Sequence, residues 1–588
     1  MTGRIPMPLR WWSCAAVLFL ALRAAGEERL VLPGVARANG VGGSRFVSTA
    51  WLHNPSDSPL AVDLELVAAT GPAGTARLVL APRQTFRLDD PVAALFGLES
   101  AAGSLTARAD RPFLLRGVTA NVADPRGTYG LALASLREAE ALRPGETGVA
   151  PWLTHTTAGA TGSRTNVALT FLDSPSEALV TVVDDAGLVR GEERVSSGTP
   201  LFWQRSVADL ASDPQIPLGR VEIRVLSGAV VAYAAVVDNV TGDGILAPAR
   251  RVETPKGPPY TLLLDGAART GGANGTLWRT GLRLTNPGLA PVEATLEAVG
   301  GAARATRLVP PRAVVEVADL LGALGLTEGS AGAVRISAPA RLSALAATRN
   351  VDPAGRPGTF SASQEAIPAD ALSGAGSVFA FIGLSADSGA SGFRTNVAFL
   401  GGPSGGRARL TLRAPAGTRL AEGTVDAGVW AWSQQPLSGW LGGAAVPRDA
   451  ALEVEVLSGS LDAYASVIDN GTGDPVILPP APLPSASCPP ATVAPLLSSS
   501  VSQVEAGASA VLRLEAPGRG VGRVVPGDVP LGPGGSVSVV SAVTTTYRWI
   551  PSAGCPEDRS APVTVDVVAP PGTAITESGV VSGIASGG

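Results

Sequence analysis

The sequence predicts an all-β protein built as a tandem array of β-sandwich modules, and three observations carry that prediction. A block of roughly 230 residues occurs twice. Within it, short runs alternate apolar and polar residues with period two. Gly and Pro, at 71 and 49 of 588 residues, supply turns between those runs.

The duplication is read from matched segments. Arg164-Thr165-Asn166-Val167-Ala168 recurs as Arg394-Thr395-Asn396-Val397-Ala398, and Val225-Leu226-Ser227-Gly228 recurs as Val456-Leu457-Ser458-Gly459. Asp238, Asn239, Thr241, Gly242 and Asp243 recur as Asp469, Asn470, Thr472, Gly473 and Asp474. Asn54-Pro55 answers Asn286-Pro287 in the first half of each block. A weaker match at a spacing near 118 relates the halves, so the unit is a module of about 115 residues, doubled twice. The expected divisions are a signal peptide over 1–26, four repeats over 27–143, 144–255, 256–369 and 370–481, a different module over 482–571, and a Gly/Ser-rich tail over 572–588.

Each repeat reads as about seven short strands. Val221, Ile223 and Val225 alternate with Glu222 and Arg224, and Leu452, Val454 and Val456 alternate with Glu453 and Glu455. Helix is expected only in short pieces, over 91–98 and 318–326. A propeller fits less well, because its blades are usually ~40 to 50 residues and this period is more than twice that.

Apolar residues form 45% of the chain and charged residues 16%, which excludes a disordered acidic chain and a coiled coil. Net charge is −5, the single lysine is Lys256, and the arginines are scattered. Without a basic stripe, nucleic acid and an anionic membrane surface are excluded as partners. Arg4 and Arg10, the apolar run from Trp11 to Leu22, and Ala24-Ala25-Gly26 form a secretory leader. That run is shorter than the ~20 residues a membrane span needs. The expected location is therefore secreted: extracellular, cell-surface or periplasmic.

Past that leader only Cys488 and Cys555 are left, and in an oxidising compartment they are expected to pair. Such a disulfide closes a loop of roughly 67 residues, worth about 4 kcal/mol on the chain-entropy model.

The segment after the Pro-rich stretch from Pro479 to Pro490 carries Val504-Glu505-Ala506-Gly507, then Thr544-Thr545-Thr546-Tyr547, then Val563-Thr564-Val565-Asp566-Val567. This stretch resembles the immunoglobulin-like modules of secreted bacterial proteins over about one seventh of the chain. The resemblance implies an immunoglobulin-like sandwich with Tyr547 at the start of its sixth strand. The four repeats also look like those of secreted bacterial repeat proteins, and no activity comes with that resemblance.

No catalytic constellation is found, and the chain is read as non-enzymatic. His53 and His155 are read as surface or turn residues, too few for a His-based triad or zinc site. Gly402-Pro403-Ser404-Gly405-Gly406 fits G-x-S-x-G on paper, but no histidine follows it. Asp238, Asp243, Asp469 and Asp474 are the metal candidates. Their loops offer oxygens to a hard cation such as calcium, although ordinary turn chemistry is the favoured reading. No other cofactor is expected. Trp430 and Trp432 alternate with Ala431 and would share one strand face, either as a carbohydrate platform or as packing. The expected function is that of a structural or binding protein, adhesin-like or a spacer, whose partner is an extracellular protein or a glycan. A carbohydrate-binding accessory protein using the two tryptophans is the alternative, and a hydrolase with a carboxylate pair is more remote.

Overall fold

The computed structural model describes residues 28–483 and 496–568, except 124–126, 128, 157–160, 252–259, 352–359, 388, 390, 506–507, 516–521, 526–528, 532–533, 541–544 and 552–562. The leader, all three cysteines and the tail lie outside the described residues, and so does the expected disulfide.

In the first repeat, β1 (Glu28–Asn39), β2 (Arg45–His53), β3 (Leu60–Ala68), β4 (Gly71–Leu80), β5 (Thr85–Asp89), β6 (Ala101–Ala109), β7 (Leu114–Asn121), β8 (Tyr129–Ala134) and β9 (Leu136–Arg137) follow in order. One layer has the order β4-β3-β6-β1-β9 and the other β5-β2-β7-β8, with antiparallel neighbours throughout. Alternation places Leu60, Val62, Leu64 and Leu66 of β3 in the core and turns Asp63 outward. Eight strands and a two-residue ninth thus replace the seven expected. With β1 to β7 read as A to G, the B–E and C–F pairings of immunoglobulin sandwiches are present. In contrast, β4 and most of β1 join the β3-β6 layer, β7 joins β2, and only the end of β1, Arg37 to Asn39, pairs with β2. One helix, α1 (Pro91–Phe96), starts where Asp90 accepts the Ala93 N–H and stops at Gly97, whose φ of 66° is left-handed.

The other repeats keep this order. The second has separate five- and four-stranded layers, and the third repeats the first. In the fourth, Phe393–Arg413 and Ala450–Asp469 each run on from one layer into the other. The C-terminal module is a smaller sandwich. Leu496–Ser499, Ser509–Glu515 and Ser536–Val540 form one layer, and Gln503–Glu505 lies parallel to Val563–Val568 in the other. Leu512, Val524, Tyr547, Trp549 and Val565 fill its core.

A tandem array gains length with each copy, but these four repeats close into a ring. Repeat 1 packs on repeat 2 through a shared core that includes Leu32, Leu133, Phe202 and Tyr233. Repeat 2 meets repeat 3 where Arg283 donates to the Leu153 carbonyl at 2.9 Å and Arg250 pairs with Glu365 at 2.8 Å. Repeat 3 meets repeat 4 around Ala362, Ala398, Tyr464 and Ile477. Repeat 4 returns to repeat 1 where Trp51 Nε1 donates to Asp449 at 2.8 Å and Arg116 donates to the Gly383 carbonyl at 2.9 Å. The strands Tyr129–Ala134, Gly244–Pro248, Phe360–Glu365 and Pro475–Leu478 meet at the middle. There the rings of Tyr129 and Phe360 stack at 5.1 Å and 13°, joining repeats 1 and 3.

Two of the four joints show reciprocal packing. Pairing register makes Trp51 equivalent to Arg283, and Trp152 equivalent to Gly383. Between repeats 2 and 3 the tryptophan belongs to the earlier repeat, with Arg283 4.1 Å above Trp152. Between repeats 4 and 1 it belongs to the repeat facing Gly383. A Cβ on Gly383 would lie 2.9 Å from the Trp51 ring, and its φ of 70° also disfavours a side chain. Among the described residues no helix is long and apolar enough to cross a membrane.

Candidate functional site

The residues repeated between the blocks do two kinds of work. Some hold a single sandwich together. Asn54, fully buried, donates to the Ser58 and Ala81 carbonyls at 2.8 and 3.0 Å and accepts the Ser56 N–H at 3.0 Å. Asn286 does the same with Ala290, Pro310 and Gly288. Thr165 donates to the Thr154 carbonyl and Thr395 to that of Ser385, both at 2.6 Å. Arg164 reaches Asn239 at 3.0 Å and Arg394 reaches Asn470 at 2.8 Å, so the Arg-Thr-Asn and Asp-Asn motifs meet within one sandwich.

The two aspartates of each Asp-Asn loop have different environments. Asp238 accepts the N–H groups of Val240 and Thr241 at 2.8 and 2.9 Å, and Asp469 accepts those of Gly471 and Thr472 at 2.8 and 3.1 Å. These are Asx turns. The second aspartate crosses to another repeat. Asp243 accepts the Ser361 N–H of repeat 3 at 2.7 Å, and Asp474 accepts the Gly130 N–H of repeat 1 at 2.7 Å. The glycine before it leans the other way, with a built Cβ 2.6 Å from Asn121 Nδ2 at Gly242 and 2.7 Å from Asn350 Nδ2 at Gly473. Each loop of an even-numbered repeat therefore touches both odd-numbered repeats at the ring centre. Burial raises both carboxyls well above their usual range, and for Asp474 the charge of Asp243 adds to it. Among the described residues no three His, Cys, Asp or Glu side chains gather as metal ligands.

Trp430 and Trp432 do not alternate along one strand. Trp430 sits in a turn at φ 49°, and the strand begins only at Trp432 (Trp432–Pro436). Both rings are half-buried against repeat 3. Arg335 stacks 4.5 Å above Trp430, and Trp432 Nε1 donates to the Asp265 carbonyl. They form part of a joint, not an open platform.

His53 and His155 are also not at the surface. Both are buried at strand ends, His53 with Nδ1 3.0 Å from Thr85 Oγ1 and His155 accepting the Thr165 N–H at 3.1 Å. Burial lowers both, His53 to about 3.

A cluster that sequence reasoning passed over lies between repeats 3 and 4. Asp265 and Asp462 are buried there and hydrogen-bonded to each other. Gln364 Nε2 donates to Asp265, and Tyr464 donates to Gln434 at 2.6 Å. Burial and the facing carboxyl push Asp265 well up, and burial lifts Asp462 to about 6. The signal was an acid inside two apolar runs, Leu262-Leu263-Leu264-Asp265 and Leu461-Asp462-Ala463. Between repeats 2 and 3 a cleft of about 360 Å³ is lined by Glu140, Arg250, Tyr260, Arg341 and Glu365, with Arg250 and Glu365 paired to each other.

No known family's sequence profile matches the chain, and no curated protein does. Among solved structures it is similar to a tetra-tandem repeat in the extending region of a large adhesion protein, at 14% identity and a TM-score of 0.10, over 77% of this chain and 99% of that one. It is also similar to E. coli alpha-2-macroglobulin in its native conformation, at 10% identity and a TM-score of 0.11, over 88% of this chain and 35% of that one. For Salmonella alpha-2-macroglobulin reacted with methylamine the values are 11% and 0.14, over 92% and 40%. TM-scores this low establish no common arrangement.

Proposed function

We propose that the chain is a non-enzymatic exported protein of structural or binding type, adhesin-like, whose four-repeat ring is a rigid head carrying the loops that contact a partner. The carrying observation is how the motif residues are used. Asn54, Thr165, Asp238, Asp243 and their equivalents serve turns and joints, which leaves recognition to exposed loops on a fixed scaffold. In this reading the ring substitutes rigidity for the length a spacer would supply.

The test uses the exported full-length protein against panels of extracellular proteins and glycans. Saturable binding of one class, with the bound molecule recovered chemically unchanged, is expected. Turnover of any panel member would overturn the non-enzymatic reading. Glycan binding abolished by Trp430→Ala and Trp432→Ala at unchanged melting temperature would favour the carbohydrate alternative.

A further inference from the structure

The two within-block joints, repeat 1 on 2 and repeat 3 on 4, are built from equivalent positions. The β-bulge between Leu32 and Val35 matches that between Leu264 and Ala267, which makes Asp265 equivalent to Pro33. Asp462 stands across from Leu400 as Val231 does from Thr170. Gln364 takes the place of Leu133, and Trp432 that of Phe202. In both joints a tyrosine, Tyr233 or Tyr464, closes on a glycine of the preceding repeat, Gly34 or Gly266. One joint is apolar; the other buries two carboxyls in the same frame.

We propose that the joint between repeats 3 and 4 is a proton-dependent latch, closed while Asp265 and Asp462 share a proton and loosened when both must ionise, whereas the joint between repeats 1 and 2 is indifferent to pH. The groups that face the pair are neutral: Gln364 from Phe360–Glu365, the Trp432 indole and Gln434 from Trp432–Pro436, and Tyr464 on the strand of Asp462. Tyr464 is the one further titratable group among them, and burial raises it too. The charge bearing on Asp265 is that of Asp462. A single shared proton removes the like-charge repulsion and supplies the donor between the two oxygens. Both groups are raised relative to the unfolded chain, so their stabilisation is complete below about pH 4. It begins to be lost as Asp462 ionises at about 6, which leaves the pair its single proton. It is lost further as Asp265, raised well above its usual range, ionises in turn. The latch does not depend on what the head binds.

Hydrogen exchange on the full-length protein, corrected for the chemical exchange rate, tests it. Between pH 5 and pH 8, opening at Trp432–Pro436 is expected to rise on the order of ten- to a hundred-fold relative to opening at the equivalent strand Leu201–Ser206. An unchanged ratio between the two strands would overturn the latch. Asp265→Asn with Asp462→Asn should remove most of the ratio's change with pH, and a double variant keeping the wild-type change would equally refute it. The comparison within one molecule offsets Asp243 against Asp474, one in each repeat compared. His155 shares repeat 2 with the reference strand and by itself lowers the ratio at pH 5, so the double variant, which keeps both histidines, isolates the acid pair. If that variant does not fold, opening at Trp432–Pro436 itself, in a repeat without histidine, must rise with pH, and its constancy would overturn the latch.

Discussion

Repeats 1 and 2 join through Pro33, Leu133, Phe202 and Val231, while repeats 3 and 4 join through Asp265, Gln364, Trp432 and Asp462 at the same places in the fold. The strand order and the tyrosine-on-glycine contact are common to both. The difference shows that backbone close approach sets the geometry of the joint. The side chains around it are free to change chemistry as long as polar groups arrive as a satisfied set. An acid entering alone would bury an unpaired charge; entering with a second acid and Gln364, it gains a hydrogen bond and a proton to share.

That contrast can be broken most strongly by placing one acid in the apolar joint. Val231→Asp, with Pro33 kept, should destabilise by about 3–5 kcal/mol at pH 8, and by less at pH 5, in denaturant unfolding. Next in size is Phe202→Ala, at about 3 kcal/mol, because a buried ring leaves a cavity in a shared core. The equivalent Trp432→Ala should cost only about 1–2 kcal/mol, since that ring is half-buried. Rebuilding the polar joint on the apolar pattern, Asp265→Pro with Asp462→Val, should stabilise by about 1–2 kcal/mol at pH 8 and flatten the alkaline slope of the melting temperature. The smallest effect is expected from Tyr464→Phe, about 1 kcal/mol for one hydrogen bond to Gln434, by the same unfolding measurement.

The sandwiches were legible because each strand's alternation is local. Leu60, Val62 and Leu64 declare a buried face without reference to any partner. The repeated motifs were legible as turns for the same reason, Asp238 capping the five-residue loop between two paired strands. Ring closure was not legible. Trp51 and Gly383 gain their meaning from each other across more than 300 residues, and apolar strand positions look alike whether they face their own core or a neighbour. His53 was misplaced because it directly precedes Asn54-Pro55, which reads as a surface turn. Asn54 is instead pulled inward by three carbonyls and takes the histidine with it. The acid pair lay within reach of sequence. Aligning the two blocks sets Asp265 against Pro33 and Asp462 against Val231, two acids where the earlier copy has none.

The loops at the ring centre also impose a rule of parity. Asp243 and Asp474 come only from even-numbered repeats, and each ends on an amide of an odd-numbered one. A chain that lost or gained a single repeat would leave one clasp without its amide, or set two like repeats side by side. A chain that changed by a whole block would keep every clasp matched. The unit that evolution or an engineer can add to this head, or remove from it, is therefore the pair.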